Sequence, residues 1–148
     1  MSLLMDWLRQ VNAGHGDAPL LISDEENELH GLSLRDVLQA HKDWRAQLEL
    51  DLDSERLRNL DAGSLARDDL CTLGKWLHGP GRERFGHHPS WAAACRVHAE
   101  FHQCAGELLR ARRRNEPAEA LTNLGYRLRD ASSRNQLELV RLFTSAHR

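Results

Sequence analysis

The sequence predicts an all-α fold, an antiparallel helical bundle of about four helices with a short helix before it. Three observations predict it. Valine and isoleucine are scarce while leucine, alanine and arginine abound, and no alternating β-branched run occurs. Apolar residues recur at helical spacing through several long stretches. The chain has 148 residues, which suits a single domain with a workable core, so those stretches must bury their apolar faces on one another.

Residues 2–12 read as a short amphipathic helix with Leu3, Leu4, Trp7, Leu8 and Val11 on one side. Residues 13–31 hold Gly14, Gly16, Pro19, the acidic run Asp24-Glu25-Glu26 and Gly31, and read as loop or linker. Residues 1–30 are therefore an N-terminal extension and 31–148 the bundle. Ser33 is an N-cap for a helix whose stripe is Leu34, Val37, Leu38, His41, Trp44, Leu48 and Leu52. A shorter helix is expected from about Ser64, carrying Leu70, Cys71, Leu73, Gly74 and Leu77 and stopping at Gly79-Pro80-Gly81. Gly74 costs about 1 kcal/mol against alanine inside a helix. It lies on the Cys71 face, where the missing side chain lets another element approach the sulfur. Residues 82–88 read as a polar loop. Pro89 opens a long helix striped with Trp91, Ala94, Cys95, His98, Phe101, His102, Ala105, Leu108 and Leu109. Pro117 opens the last helix, with Leu121, Leu124, Leu128, Ala131, Leu139 and Leu142 on or beside its inner face.

Composition narrows the function classes. A formal charge of −2 gives no electrostatic case for nucleic acid or for a basic membrane-surface protein. The first residues lack a basic n-region and carry Asp6 in their apolar run, so they do not read as a signal peptide. No apolar run is long enough to span a membrane. A cytoplasmic location follows as the expectation. Three cysteines, an odd number, then favour a metal or redox role over a disulfide framework.

His98 and His102 are one helical turn apart, so their rings point the same way and can share a metal ion. Both sit within an apolar stripe, as does His41. An inward imidazole needs partners for its nitrogens, and for a lone one a carboxylate or carbonyl suffices. Three inward histidines with a core cysteine match a tetrahedral zinc site. Cys95, three residues before His98, competes with Cys71 for the sulfur position, or serves as a resolving thiol. Cys104 lies off the stripe, toward a neighbouring helix. Asp43, Asp68 and Asp69 are candidates to orient a ligand, the last two also as helix-terminal charges. His87-His88 reads as loop, and Arg110 with Arg112–Arg114 as a helix C-terminus or an anion site.

Three segments, His41-Lys-Asp-Trp44, Cys71-Thr-Leu-Gly74-Lys-Trp76 and His98-x3-His102, resemble the signature of the chemoreceptor zinc-binding (CZB) domain. The spacings of 30, 27 and 4 residues are typical of that family, and the stretch Cys104-Ala-Gly-Glu-Leu-Leu109 is family-like. The resemblance runs over about residues 33 to 145. It implies a buried site for Zn2+ made by His41, Cys71, His98 and His102, and it selects Cys71 over Cys95. It also implies a homodimer and a protein partner such as a chemotaxis receptor or a diguanylate cyclase, with a response to zinc or to oxidants such as hypochlorous acid. Residues 1–30 are too few for a cyclase or a receptor hairpin, so a stand-alone member is expected.

Four protein ligands close a tetrahedral zinc, whereas a hydrolase needs an open position, so a sensing or scaffolding role is expected rather than an enzyme. The competing readings are a zinc-stapled interaction protein and a bundle-core metalloenzyme. The di-iron type of the latter needs Glu-x-x-His pairs, and Cys95 and Ala99 stand where the glutamates would be.

Overall fold

The computed structural model describes residues 3–13 and 22–147. The side chains of Leu3 and Val11, and residues Gly14, Gly16 and Pro19, lie outside what is described. Helix α1 (Leu3–Asn12) buries Leu4, Trp7 and Leu8, the apolar side the sequence marks. The expected linker holds local structure from residue 23 onward. Ser23 caps a single turn, α2 (Asp24–Asn27), by accepting from the Glu26 N–H at 3.1 Å. Strands β1 (Glu28–Leu29) and β2 (Leu32–Ser33) pair antiparallel, with Leu29 opposite Leu32. His30 and Gly31 both have positive φ, 46° and 89°, as a two-residue hairpin turn of the tight primed kind requires. Two-residue strands are too short to show a period of two, which is why the hairpin leaves no sequence signal.

Helix α3 (Leu34–Leu52) starts at Ser33, whose hydroxyl accepts from the Asp36 N–H. A 3-10 helix spans Glu55–Asn59. The single helix expected from about Ser64 is instead two, α4 (Ala62–Ala66) and α5 (Thr72–His78), with a break at residues 67–71. Asp61 caps α4 through the Gly63 N–H. Cys71 caps α5: its sulfur accepts from the Gly74 N–H at 3.3 Å. The chain's own break, not another element, approaches Gly74. A Cβ there would stand 1.7 Å from the Asp68 carbonyl oxygen. The expected loop at 82–88 is also largely helical. Gly79 ends α5, and Pro80 takes the first position of α6 (Pro80–Phe85), where its missing N–H is no loss.

Helix α7 (Pro89–Arg113) begins at the expected proline. It ends with Asn115 at φ 52° and a Glu116 N–H bonded back to the Ala111 carbonyl at 3.2 Å, a Schellman-type stop. Helix α8 (Ala118–Ala146) follows Pro117. Arg112 donates to the Leu52 carbonyl at 2.8 Å and pairs with Asp53, and Arg113 donates to the carbonyls of Leu57 and Leu60. These two arginines therefore tie the 3-10 connection to the end of α7.

The fold class is thus all-α, with three long helices and a set of short ones that the sequence merges or leaves as loop. The core divides in two. One part joins α1, the hairpin, the first half of α3, α5 and the end of α8 through Leu34, Leu77, Leu139 and Phe143. The other joins the second half of α3, α4, the middle of α7 and the start of α8 through Leu48, Phe101, Leu109 and Leu128. His41, His98 and His102 come between them along α3 and α7.

Candidate metal centre

The segment from Ala62 to Leu77 runs antiparallel to α7, and each level of contact is set by a specific group. The Trp91 indole N–H donates to the Leu77 carbonyl at 2.9 Å. His98 meets Asp68 and Cys71, and His102 meets Leu65. At Gly106 the approach is closest: a Cβ there would lie 2.9 Å from that of Ala66. The break between α4 and α5 is thereby laid across His98 and His102, and helix α3 brings His41 from the other side.

The result is one group of four donors, His41, Cys71, His98 and His102, whose candidate ligand atoms all lie within 4.8 Å of one another. Cys71 Sγ stands 3.3 Å from His98 Nε2, 3.6 Å from His102 Nε2 and 3.9 Å from His41 Nε2. A thiol has one proton to give and its sulfur is only a weak acceptor, already taken by the Gly74 N–H, so hydrogen bonding holds three converging imidazoles poorly. A shared cation holds them better. With zinc–sulfur near 2.3 Å and zinc–nitrogen near 2.05 Å, the sulfur–nitrogen edge of a tetrahedron is about 3.5 Å, the middle of the observed range. The residues present therefore fit zinc. His98 is fully buried, and His102 and His41 nearly so.

The outer contacts bear on which nitrogen faces the sulfur. His102 Nδ1 donates to the Leu65 carbonyl at 3.0 Å, leaving Nε2 with its lone pair toward Cys71. His98 Nε2 lies 3.2 Å from the Asp68 carbonyl as well as facing the sulfur, so it ligates a metal only when the ring proton sits on Nδ1. Asn135 of α8, buried, acts on the same ring. The Nδ1 atoms of His41 and His98 are buried with no hydrogen-bond partner. Phe101 and Trp44 pack the site on one side, with ring centroids 5.1 Å from His41 and 5.2 Å from His102 respectively.

Burial holds these imidazoles neutral. Desolvation, then the neighbouring His102, lowers His41 to about 4, and desolvation with both neighbouring histidines lowers His98 to about 3. Desolvation also pushes the Cys71 thiol up, while the N–H of Gly74 works against it. A bound cation reverses that balance in favour of thiolate. For the metal-free protein the sign is clear. Folded-state values lie below the unfolded 6.5, so between pH 6.5 and about 4 the unfolded chain binds more protons. Stability is full above that window and falls as pH drops through it. Urea unfolding of chelator-stripped protein should show a slope of up to about 2.7 kcal/mol per pH unit near pH 5 for two such groups. A flat profile from pH 7 to 5 would contradict neutral burial.

The competing residues fall elsewhere. Cys95 is half-buried beside the first core part, and burial raises its thiol to about 11. Cys104 is buried in the second part and lines a cleft between α7 and α8. Neither belongs to the four-donor group. Asp43 accepts from Gln39 at an exposed position, and Asp69 pairs with Arg67 at 2.8 Å. Asp68 reaches the site through its backbone carbonyl, while its carboxylate bonds His78 at 3.1 Å. His87 is exposed, and His88 caps α7 through Nδ1. Sequence reasoning missed Asn135 and the carbonyls of Leu65 and Asp68. Backbone acceptors leave no residue signature.

A helical bundle that gathers three buried histidines and one half-buried cysteine has the donor set of a small zinc-binding module. Residues 41–109 match the family model of the chemoreceptor zinc-binding domain, and all four donors fall inside that match. That stretch of the chain is thus similar to domains of this family. No curated protein and no solved structure matches it. Helix α8 lies outside the matched stretch yet supplies Asn135 to the site. Among the described residues no helix is long and apolar enough to cross a membrane.

Proposed function

We propose that His41, Cys71, His98 and His102 hold one zinc ion and that the domain is a sensory or regulatory module of bacterial signal transduction. The observation that carries this is the convergence of three Nε2 atoms on one sulfur at tetrahedral spacing. Zinc there closes its coordination with protein ligands and keeps Cys71 as thiolate, the form that reacts with oxidants. The module is not an enzyme, because a closed site offers no position to substrate. It acts in the cytoplasm as a homodimer, through a protein partner such as a chemotaxis receptor or a diguanylate cyclase.

Cys71 is the ligand fitted to switch. It is half-buried where His98 is sealed, and it sits on a break in the chain rather than within a long helix. Oxidation to the sulfenic acid weakens it as a ligand, and the 67–71 break then loosens first. Wild type and Cys71→Ala should be compared under hypochlorous acid and under chelator, with metal content and amide exchange over residues 62–78 as readouts. Wild type is expected to lose protection there with oxidant, and the variant to show no further change. Identical responses would overturn the switch. Tight zinc indifferent to oxidant would favour a structural staple instead.

A further inference from the structure

The inner stripe of α8 runs Leu128, Ala131, Leu139 and Leu142, and Asn135 fills its middle position. Helical spacing calls for an apolar residue there, yet the position holds an amide that is only 2 % exposed. Burying an amide without a partner is costly, so a buried one points to a group that it serves. Leu128 and Ala131 belong to one part of the core and Leu139 to the other, so Asn135 lies where the two parts meet. His41 on α3 and His98 and His102 on α7 lie at the same junction.

The His98 ring is the group on which Asn135 acts. Nε2 of that ring faces the break before α5, with Cys71 Sγ at 3.3 Å and the Asp68 carbonyl at 3.2 Å. Nδ1, across the ring, is buried and has no backbone acceptor. His102 differs, because its second nitrogen is held by the Leu65 carbonyl. At His98 a side chain from α8 stands in for such a carbonyl.

We propose that Asn135 is the positioning residue for His98, its amide oxygen accepting the Nδ1 proton and so fixing the tautomer whose Nε2 lone pair holds a metal ion. The proposal rests on the zinc reading of the four donors and adds to it a residue beyond the matched residues 41–109. A ring that coordinates through Nε2 carries its proton on Nδ1, and an acceptor there orients the ring and makes it a better ligand. An amide suits this position better than a carboxylate. In the metal-free protein the proton sits on Nε2 and goes to the Asp68 carbonyl, and the amide turns over so that its Nδ2 donates to Nδ1. Between the two states the ring loses a proton at Nε2 and gains one at Nδ1, so its charge does not change. Asparagine partners the ring in both states, whereas an ionised carboxylate only accepts.

Asn135→Leu and Asn135→Asp separate this role from packing. Leucine continues the stripe and removes the acceptor, and aspartate keeps both the shape and the acceptor. The full-length proteins are compared by competition for zinc against a chromogenic chelator and by nitrogen NMR of the imidazoles, which reads the tautomer and the Nδ1 hydrogen bond. Asn135→Leu should bind zinc about tenfold more weakly or worse. In its zinc-loaded form the His98 Nδ1 proton, downfield in wild type, should move upfield. Asn135→Asp should keep that proton downfield and bind zinc at least as tightly as wild type. Wild-type zinc affinity in Asn135→Leu, an unmoved Nδ1 proton, or a folded Asn135→Asp protein as weak as Asn135→Leu would overturn the proposal. Should the buried carboxylate prevent folding, Asn135→Leu decides alone. A wild type that takes up no zinc fails the zinc reading by itself. The role of Asn135 is then decided on the metal-free proteins, in which Asn135→Leu should shift the Nδ1 nitrogen of His98 and leave His102 unchanged. An unshifted Nδ1 would overturn it.

Discussion

Replacing His98 with alanine should weaken zinc binding sharply and destabilise the metal-free fold as well. The imidazole is fully buried where the two parts of the core meet, so its removal leaves a cavity and strips the Asp68 carbonyl of its partner. Cavity and lost hydrogen bond together cost about 3 kcal/mol. The zinc effect is larger in the holo protein. Losing one of four ligands should weaken zinc by roughly a hundredfold or more, and because metal affinity is also folding free energy, the melting temperature of the zinc-loaded protein should fall accordingly. Competition against a chromogenic chelator reads the affinity, and urea unfolding in excess chelator reads the fold. His87→Ala, exposed and outside the donor group, serves as the control that should change neither. Unchanged zinc affinity in His98→Ala would remove this residue from the site.

Gly74→Ala is the second large effect, and it runs against helix propensity. In an ordinary helix interior the change stabilises by about 1 kcal/mol. Here the new methyl would meet the Asp68 carbonyl oxygen at 1.7 Å and its carbon at 2.7 Å. Both are backbone atoms and cannot rotate away, so the break at 67–71 must lift. That break presents Cys71 to the histidines and carries the carbonyl facing His98. The variant should lose about 3 kcal/mol or more of stability, in the range reserved for overpacking and backbone strain, and its zinc affinity should fall with it. A Gly74→Ala protein as stable as wild type, with zinc retained, would mean that the close approach is not required.

Much of the site was legible because helical periodicity is local. The stripe of α3 places His41 with Val37 and Trp44, and that of α7 places His98 and His102 one turn apart within apolar surroundings. These placements follow from 3.6 residues per turn and need no partner helix. The caps were legible for the same reason: Ser33, Pro89 and Pro117 act on the backbone within a few residues of themselves. The errors cluster between residues 62 and 88. There the sequence reads as one helix and a loop, and the chain folds as α4, a break, α5 and α6. Pro80 ends one helix and starts the next with equal local cause, so a local rule cannot choose.

By itself, then, the sequence determined the helical class and the inward faces of the three histidines, while the choice of Cys71 over Cys95 as the sulfur that joins them came from the family resemblance carried by Cys-x-Leu-Gly-x-Trp. Only the tertiary structure decided how Cys71 gets there. It is delivered by a chain break, and held by a Gly74 N–H and an Asp68 carbonyl that fills the space of a missing side chain. The tertiary structure also decided that Asn135 on α8 reaches the site and that a cleft leaves Cys71 open while His98 is sealed. The physical reason is the same in each case. Backbone carbonyls, close approaches and clefts arise between segments distant in the chain, and no residue's own propensity records them.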